Sequence, residues 1–184
     1  MSGQTVIDEV AGLYRILPLT VMRQTAKVTF DCAPMDFLPR IDAIDRVIHQ
    51  GDALSPGAVG KVERPWYMHP CQEDNLIVLY GRREVEITNR AHGQIERFTV
   101  TPQEIRHNGQ LVHQGGAMLV WPCFVFHRIR SGAEGSASLN FAVHTQGFDL
   151  RTNFNIYDLD PKSGEFQVIR EGHLDQFPPA VSAP

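Results

Sequence analysis

Long apolar runs are missing from this 184-residue chain: no window approaches the ~20 apolar residues that a membrane-crossing helix needs. Met1 to Tyr14 lacks the basic segment and apolar stretch of a secretory signal. Positive charge is also scarce, with 17 Lys and Arg against 21 Asp and Glu and a net charge of -4. That balance removes the general attraction that clustered Lys and Arg exert on nucleic acid or an anionic membrane. Cysteine is limited to Cys32, Cys71 and Cys123, an odd and widely spaced set without a C-x-x-C pair, which excludes a disulfide framework and a zinc knuckle. The expectation is a cytoplasmic protein with a small-molecule partner, no nucleic acid and no membrane.

Helical periodicity is nearly absent too. One segment carries it, because Ile41, Ile44, Val47 and Ile48 recur at helical spacing and Gly51 offers a stop; the spacing predicts a short N-terminal helix over 42–51. Leu17–Val21 and Ala26–Phe30 read as two short strands around a break at Arg23 and Gln24.

From Val62 onward the pattern changes to period two. Val62–His69, Asn75–Tyr80, Arg83–Thr88, Ile95–Val100, Ala117–Trp121, Phe124–Arg130 and Ser138–His144 are short runs rich in Val, Ile, Phe and Tyr. Turn signals separate them at Asn89–Gly93, Asn108–Gly109, Gly115–Gly116 and Ser131–Gly135. Such punctuation predicts an all-β, antiparallel sandwich or barrel rather than alternating βαβ units. A hairpin follows, Asn153–Leu159 with Glu165–Arg170, and the Pro- and Ala-rich tail from Phe177 to Pro184 reads as disordered. The organisation expected is one structural domain: strands and a short helix over 1–60, a barrel core over 61–147, a hairpin extension over 148–176 and a tail over 177–184.

The stretch Pro65 to Gly81 concentrates reactive groups at a bend beside an apolar strand, where a rigid element can fix their positions. Strand alternation puts Tyr67 and His69 on one face and Trp66 and Met68 on the other, and it puts His127 on a face with Val125 and Ile129. Cys71 lies in the bend, and Asn140 and His144 share a face of the last core strand, so these three are candidates for lining a pocket. His107 and His113 flank a turn and read as surface residues.

Two segments resemble the paired motifs of the cupin superfamily. The first family motif, G-x5-H-x-H-x4-E-x6-G, resembles the segment from Tyr67 to Gly81, with His69 on the second histidine, Asp74 on the glutamate and Gly81 on the closing glycine. The second, G-x5-P-x-G-x2-H-x3-N, is similar to Gly116–Ser131 in spacing and retains Gly116, Pro122 and His127. The motifs and the span between them cover about 65 residues. The first motif is degenerate: Tyr67 stands where the family has its first metal-binding histidine, and Asp74 replaces glutamate. In the second, Phe124 replaces a turn glycine and Ser131 an asparagine.

The resemblance implies a cupin-type β-barrel (jelly roll) in which His69, Asp74 and His127 converge as two imidazoles and a carboxylate. That composition suits a divalent transition metal, with Fe, Zn, Mn and Ni undistinguished. It implies a metal-dependent enzyme of dioxygenase, lyase or isomerase type acting on a small polar metabolite, with Tyr67 assisting proton transfer. The alternative is a non-catalytic binding or sensing cupin that has lost its metal with the first histidine. A homodimer is expected from the exposed edges that such barrels leave.

Overall fold

The structure, a computed structural model, describes residues 6–38 and 40–177. The first strands are β1 (Asp8–Val10), β2 (Tyr14–Pro18), β3 (Thr20–Gln24), β4 (Thr29–Cys32), β5 (Ala43–His49) and β6 (Leu54–Ser55). They are followed by β7 (Trp66–Met68), β8 (Gln72–Thr88), β9 (Glu96–Val100), β10 (Glu104–His107), β11 (Gln110–Gln114), β12 (Ala117–Trp121) and β13 (Phe126–His144). A single-turn helix, α1 (Leu150–Asn153), precedes β14 (Ile156–Leu159) and β15 (Phe166–Arg170).

Two long strands, β8 and β13, run antiparallel along their whole length and form the spine of an antiparallel, cupin-type jelly-roll barrel. Each half of the spine has different neighbours. The half containing Asp74 and Asn140 is flanked by β12 and β5, whereas the half containing Arg83 and His127 is flanked by β9 on one side and by β6 and β7 on the other. The change of neighbours comes at a register break between Ser131 and Ser136. Gly81, at φ +69°, sits there with its α-carbon so close to the opposing chain that a β-carbon would lie 2.0 Å from the Gly135 carbonyl oxygen. Glycine is needed at that point for both its positive φ and its lack of a side chain.

The apolar core lies between the two halves, around Leu76, Val85, Ile87, Phe98, Ile105 and Leu119. A second cluster, with Leu17, Met118 and Val120, is covered by Leu38. A third joins Trp66, Met68 and Phe126 to Tyr157 and Leu159, so the C-terminal hairpin is packed onto the barrel and β14 pairs with β7.

Two expectations are corrected. The segment predicted as a helix over 42–51 is the strand β5, paired with β13 from Ala43↔Ala142 to His49↔Ser136. Its alternate residues Ala43, Asp45, Val47 and His49 are half-buried while Ile44 and Ile48 are exposed, so the apolar residues that mimic helical spacing come from both faces of the strand. Arg23 and Gln24 are not a break but part of β3, which pairs with β4 in a separate exposed hairpin. The turn signal at Ser131–Gly135, and the gap read between Asn75–Tyr80 and Arg83–Thr88, are local irregularities inside continuous strands rather than chain reversals. Of the predicted disordered tail, 178–184 lie outside the described residues.

Candidate functional site

Alternation in β7 turns Tyr67 toward the barrel interior and sends Trp66 and Met68 into the cluster beneath the hairpin. His69 follows directly, and its carbonyl accepts the Phe124 amide at 2.9 Å, tying the first motif to the turn that leads into β13. Phe124 has φ +64° at the position where the resembled motif carries glycine, so the left-handed backbone is kept without the residue that adopts it freely. That turn delivers His127 at the start of β13, and β8 delivers Asp74 from the facing half.

His69, Asp74 and His127 are all buried, and their candidate ligand atoms lie within 4.8 Å of one another, the one such cluster among the described residues. The Asp74 Oδ2 atom is 3.4 Å from His69 Nε2 and 4.0 Å from His127 Nε2. Both histidines are held from behind. His69 Nδ1 faces the Asn153 carbonyl, and His127 Nδ1 faces that of Val125 at 3.3 Å. A ring nitrogen facing a carbonyl must carry the proton, and in both rings the other nitrogen, Nε2, is the one that faces Asp74.

The carboxylate is oriented in the same way. Asp74 Oδ1 accepts from Gln72 Nε2 at 2.7 Å and Asn140 Nδ2 at 2.6 Å, whereas Oδ2 is buried with no hydrogen-bond partner. Gln72 in turn accepts from Asn153 Nδ2 at 2.9 Å. Burial, reinforced by the neighbouring His69, pushes the His127 imidazole down to about 4, so it is neutral at physiological pH. Burial raises the Tyr67 phenol, which keeps it a proton donor rather than a phenolate.

Tyr67, His69, Gln72, Asp74 and His127 line a cavity of 250 Å³ together with Trp121, Ile129 and Phe154. The wider depressions of 660 and 550 Å³ lie on the outer surface, at Arg90 and the C-terminal hairpin and along β9, away from the histidines. Of the residues singled out from the sequence, Tyr67, His69, Asp74, His127 and Asn140 meet at this cavity. Cys71 and His144 do not line it: Cys71 Sγ lies against the Gln146 carbonyl at 3.5 Å, and the His144 ring stacks on Phe148. His107 is not a simple surface residue either, since it stacks on Phe98 and faces Asp8 and Glu96.

Sequence reasoning missed Asn153, Phe154, Gln72, His49 and Arg83. Asn153 and Phe154 come from a segment read as an appended hairpin, and only the pairing of β14 with β7 brings it back to the site. His49 lay inside the supposed helix. Arg83 follows a turn signal, where an arginine ordinarily reads as solvated.

Fold and site together define a cupin-type barrel with a cavity lined by two histidines and a carboxylate. No protein-family model and no curated protein matches the chain. Similar solved structures include those of sugar isomerases and epimerases. They include a 4-keto-6-deoxy sugar epimerase from Streptomyces spheroides, with 10% identity and a TM-score of 0.57 over 80% of this chain and 71% of that one. A dTDP-4-dehydrorhamnose 3,5-epimerase from Elizabethkingia anophelis shows 9% identity and a TM-score of 0.55 over 78% and 76%. A dTDP sugar isomerase from Desulfovibrio desulfuricans shows 13% identity and a TM-score of 0.53 over 73% and 80%. At these identities the likeness is one of fold.

Proposed function

We propose that the chain is an isomerase-type enzyme of the cupin class that holds a divalent transition metal on His69, Asp74 and His127 and moves protons on a small polar substrate. The observation that carries this reading is the buried Asp74 Oδ2, which makes no hydrogen bond and faces the Nε2 atoms of His69 at 3.4 Å and His127 at 4.0 Å. A carboxylate oxygen left unpaired in the interior is costly, and a shared cation satisfies it and both imidazoles at once. The supporting hydrogen bonds from Gln72 and Asn140, and to the Asn153 and Val125 carbonyls, are those that orient metal ligands.

When bound, such a metal supplies Lewis-acid polarisation of a substrate oxygen. The chain's own groups handle the protons. Tyr67, kept neutral by burial, donates. His49, held neutral at about 4 by burial and by Arg83, lies toward the other end of the same cavity, where its unpartnered Nδ1 can donate a hydrogen bond to the substrate. The cavity volume limits the part of the substrate that enters it: at ~30 Å³ per water, 250 Å³ holds about eight water-sized groups. A dTDP-linked sugar, named for some of the similar structures, would lie mostly outside it.

A second reading follows from His127 itself, which in metal-free protein keeps a free Nε2 as a base in the cavity that Tyr67 also lines, with the two ring centroids 6.0 Å apart. Elemental analysis of protein purified without chelator decides between the two. About one metal per chain, lost in both His69→Ala and His127→Ala, supports the metal reading. No stoichiometric metal under any supply sinks it and leaves His127 as the base.

A further inference from the structure

The cavity wall remote from Asp74 carries a charge that the proposed metal site does not use. Arg83 is among the largest fully buried side chains, at 1% exposure. Its Nε donates to Ser136 Oγ at 3.0 Å and its Nη2 to the Val47 carbonyl at 3.1 Å. Both partners are neutral, and a guanidinium has five N–H donors. Nothing charged supports the cation either: burial alone acts on it, pushing it down to about 10. A fully buried arginine is ordinarily paired, because desolvating its charge costs several kcal/mol.

Other orphaned groups lie beside it. His49 Nδ1 and Ser138 Oγ are buried without partners, and both residues line the cavity with Arg83. Register places them in order. His49 pairs with Ser136, the partner of Arg83, while Asp45 pairs with Asn140, the partner of Asp74. The two ends are therefore four residues apart on both β5 and β13, or ~13 Å of backbone, with Ser138 between them.

We infer that Arg83 is a carboxylate anchor and that the cavity takes a small organic acid, its carboxylate between Arg83 and His49 and its other end directed toward Asp74. A carboxylate matches the flat fork of a guanidinium and supplies one negative charge for one positive charge. A phosphate dianion would leave excess negative charge in a cavity that Asp45 and Asp74 also line. The anchor itself stands on Arg83, His49 and Ser136; only the direction of the acid's other end rests on the proposed metal site.

The test is calorimetric titration and thermal shift on the full chain, metal-loaded and chelator-treated, with pyruvate, lactate and succinate, their amides, and inorganic phosphate. The same probes are applied to Arg83→Met, Arg83→Lys and His69→Ala. The expected result is that at least one acid stabilises the wild type and its amide does not. Affinity for that acid falls about a hundredfold in Arg83→Met, as truncation of one partner of a buried charge pair predicts. It falls at least about tenfold in Arg83→Lys, which lacks the fork and serves if the methionine variant does not fold. His69→Ala and the chelated protein still bind the acid, which separates this inference from the metal reading. The inference is overturned if no acid binds at millimolar concentration, if acid and amide bind alike, if only phosphate binds, or if the arginine variants keep wild-type affinity.

Discussion

Glu96 offers a quantitative test of how the outer barrel wall is held. Its carboxylate accepts from His92 Nε2 at 2.6 Å, His107 Nε2 at 2.7 Å and Asn108 Nδ2 at 2.8 Å, tying the turn before β9 to the end of β10. Burial alone would raise this acid, but the bonds from His107, His92 and Asn108 outweigh it and pull the group from 4.5 down to about 2. At about 1.4 kcal/mol per pH unit, that fall corresponds to at most about 3 kcal/mol. Because the folded-state value is depressed, the stabilisation is fully present above about pH 4.5 and is lost as the pH falls toward 2. Glu96→Gln keeps the shape and one acceptor, so the expected loss near pH 6 is about 2 kcal/mol, a Tm decrease of roughly 4–8 °C for a chain of this size. Thermal melts of both proteins from pH 6 to pH 2 should show the gap closing below pH 4.5. A gap unchanged across that range, or absent at pH 6, would refute the reasoning.

Three further outcomes follow from the geometry. Phe124→Gly should raise the Tm by a few degrees, since relief of a non-glycine left-handed backbone is worth about 1 kcal/mol and the ring is 63% exposed; an unchanged or lower Tm would contradict it. Gly81→Ala should cost about 3 kcal/mol in chemical denaturation, from a β-carbon meeting the Gly135 carbonyl at positive φ, and a loss below 1 kcal/mol would show that the spine can yield there. Asn140→Ala removes a hydrogen bond to Asp74 Oδ1 and should weaken metal binding about 10- to 100-fold in a competitive chelator titration.

The antiparallel β architecture and the convergence of His69, Asp74 and His127 were legible in the sequence because both rest on spacing, but the continuity of β8 and β13 was not. Period-two alternation and punctuating turns mark β7, β9, β12 and segments of β8 and β13 but not β10 or β11, and the motif intervals pick out His69, Asp74, Gly81 and His127. What misled was inverted polarity. On β5 the inward positions include Asp45 and His49, which serve a polar cavity, while Ile44 and Ile48 face outward, so apolar spacing no longer marks the buried face. Arg83 was illegible for a related reason. Lone arginines are usually solvated, and only the fold of β8 over β13 encloses this one. Asn153 is 84 residues from His69 along the chain, and no local pattern encodes that contact.

The most direct test of the central claim is X-ray absorption of the zinc-loaded chain. The account predicts a shell of nitrogen and oxygen at about 2.0–2.2 Å containing two imidazoles, with one imidazole lost in His69→Ala and one in His127→Ala. A sulfur scatterer at about 2.3 Å, which would place Cys71 or Cys123 at the metal, or an unchanged shell in both variants, would contradict it.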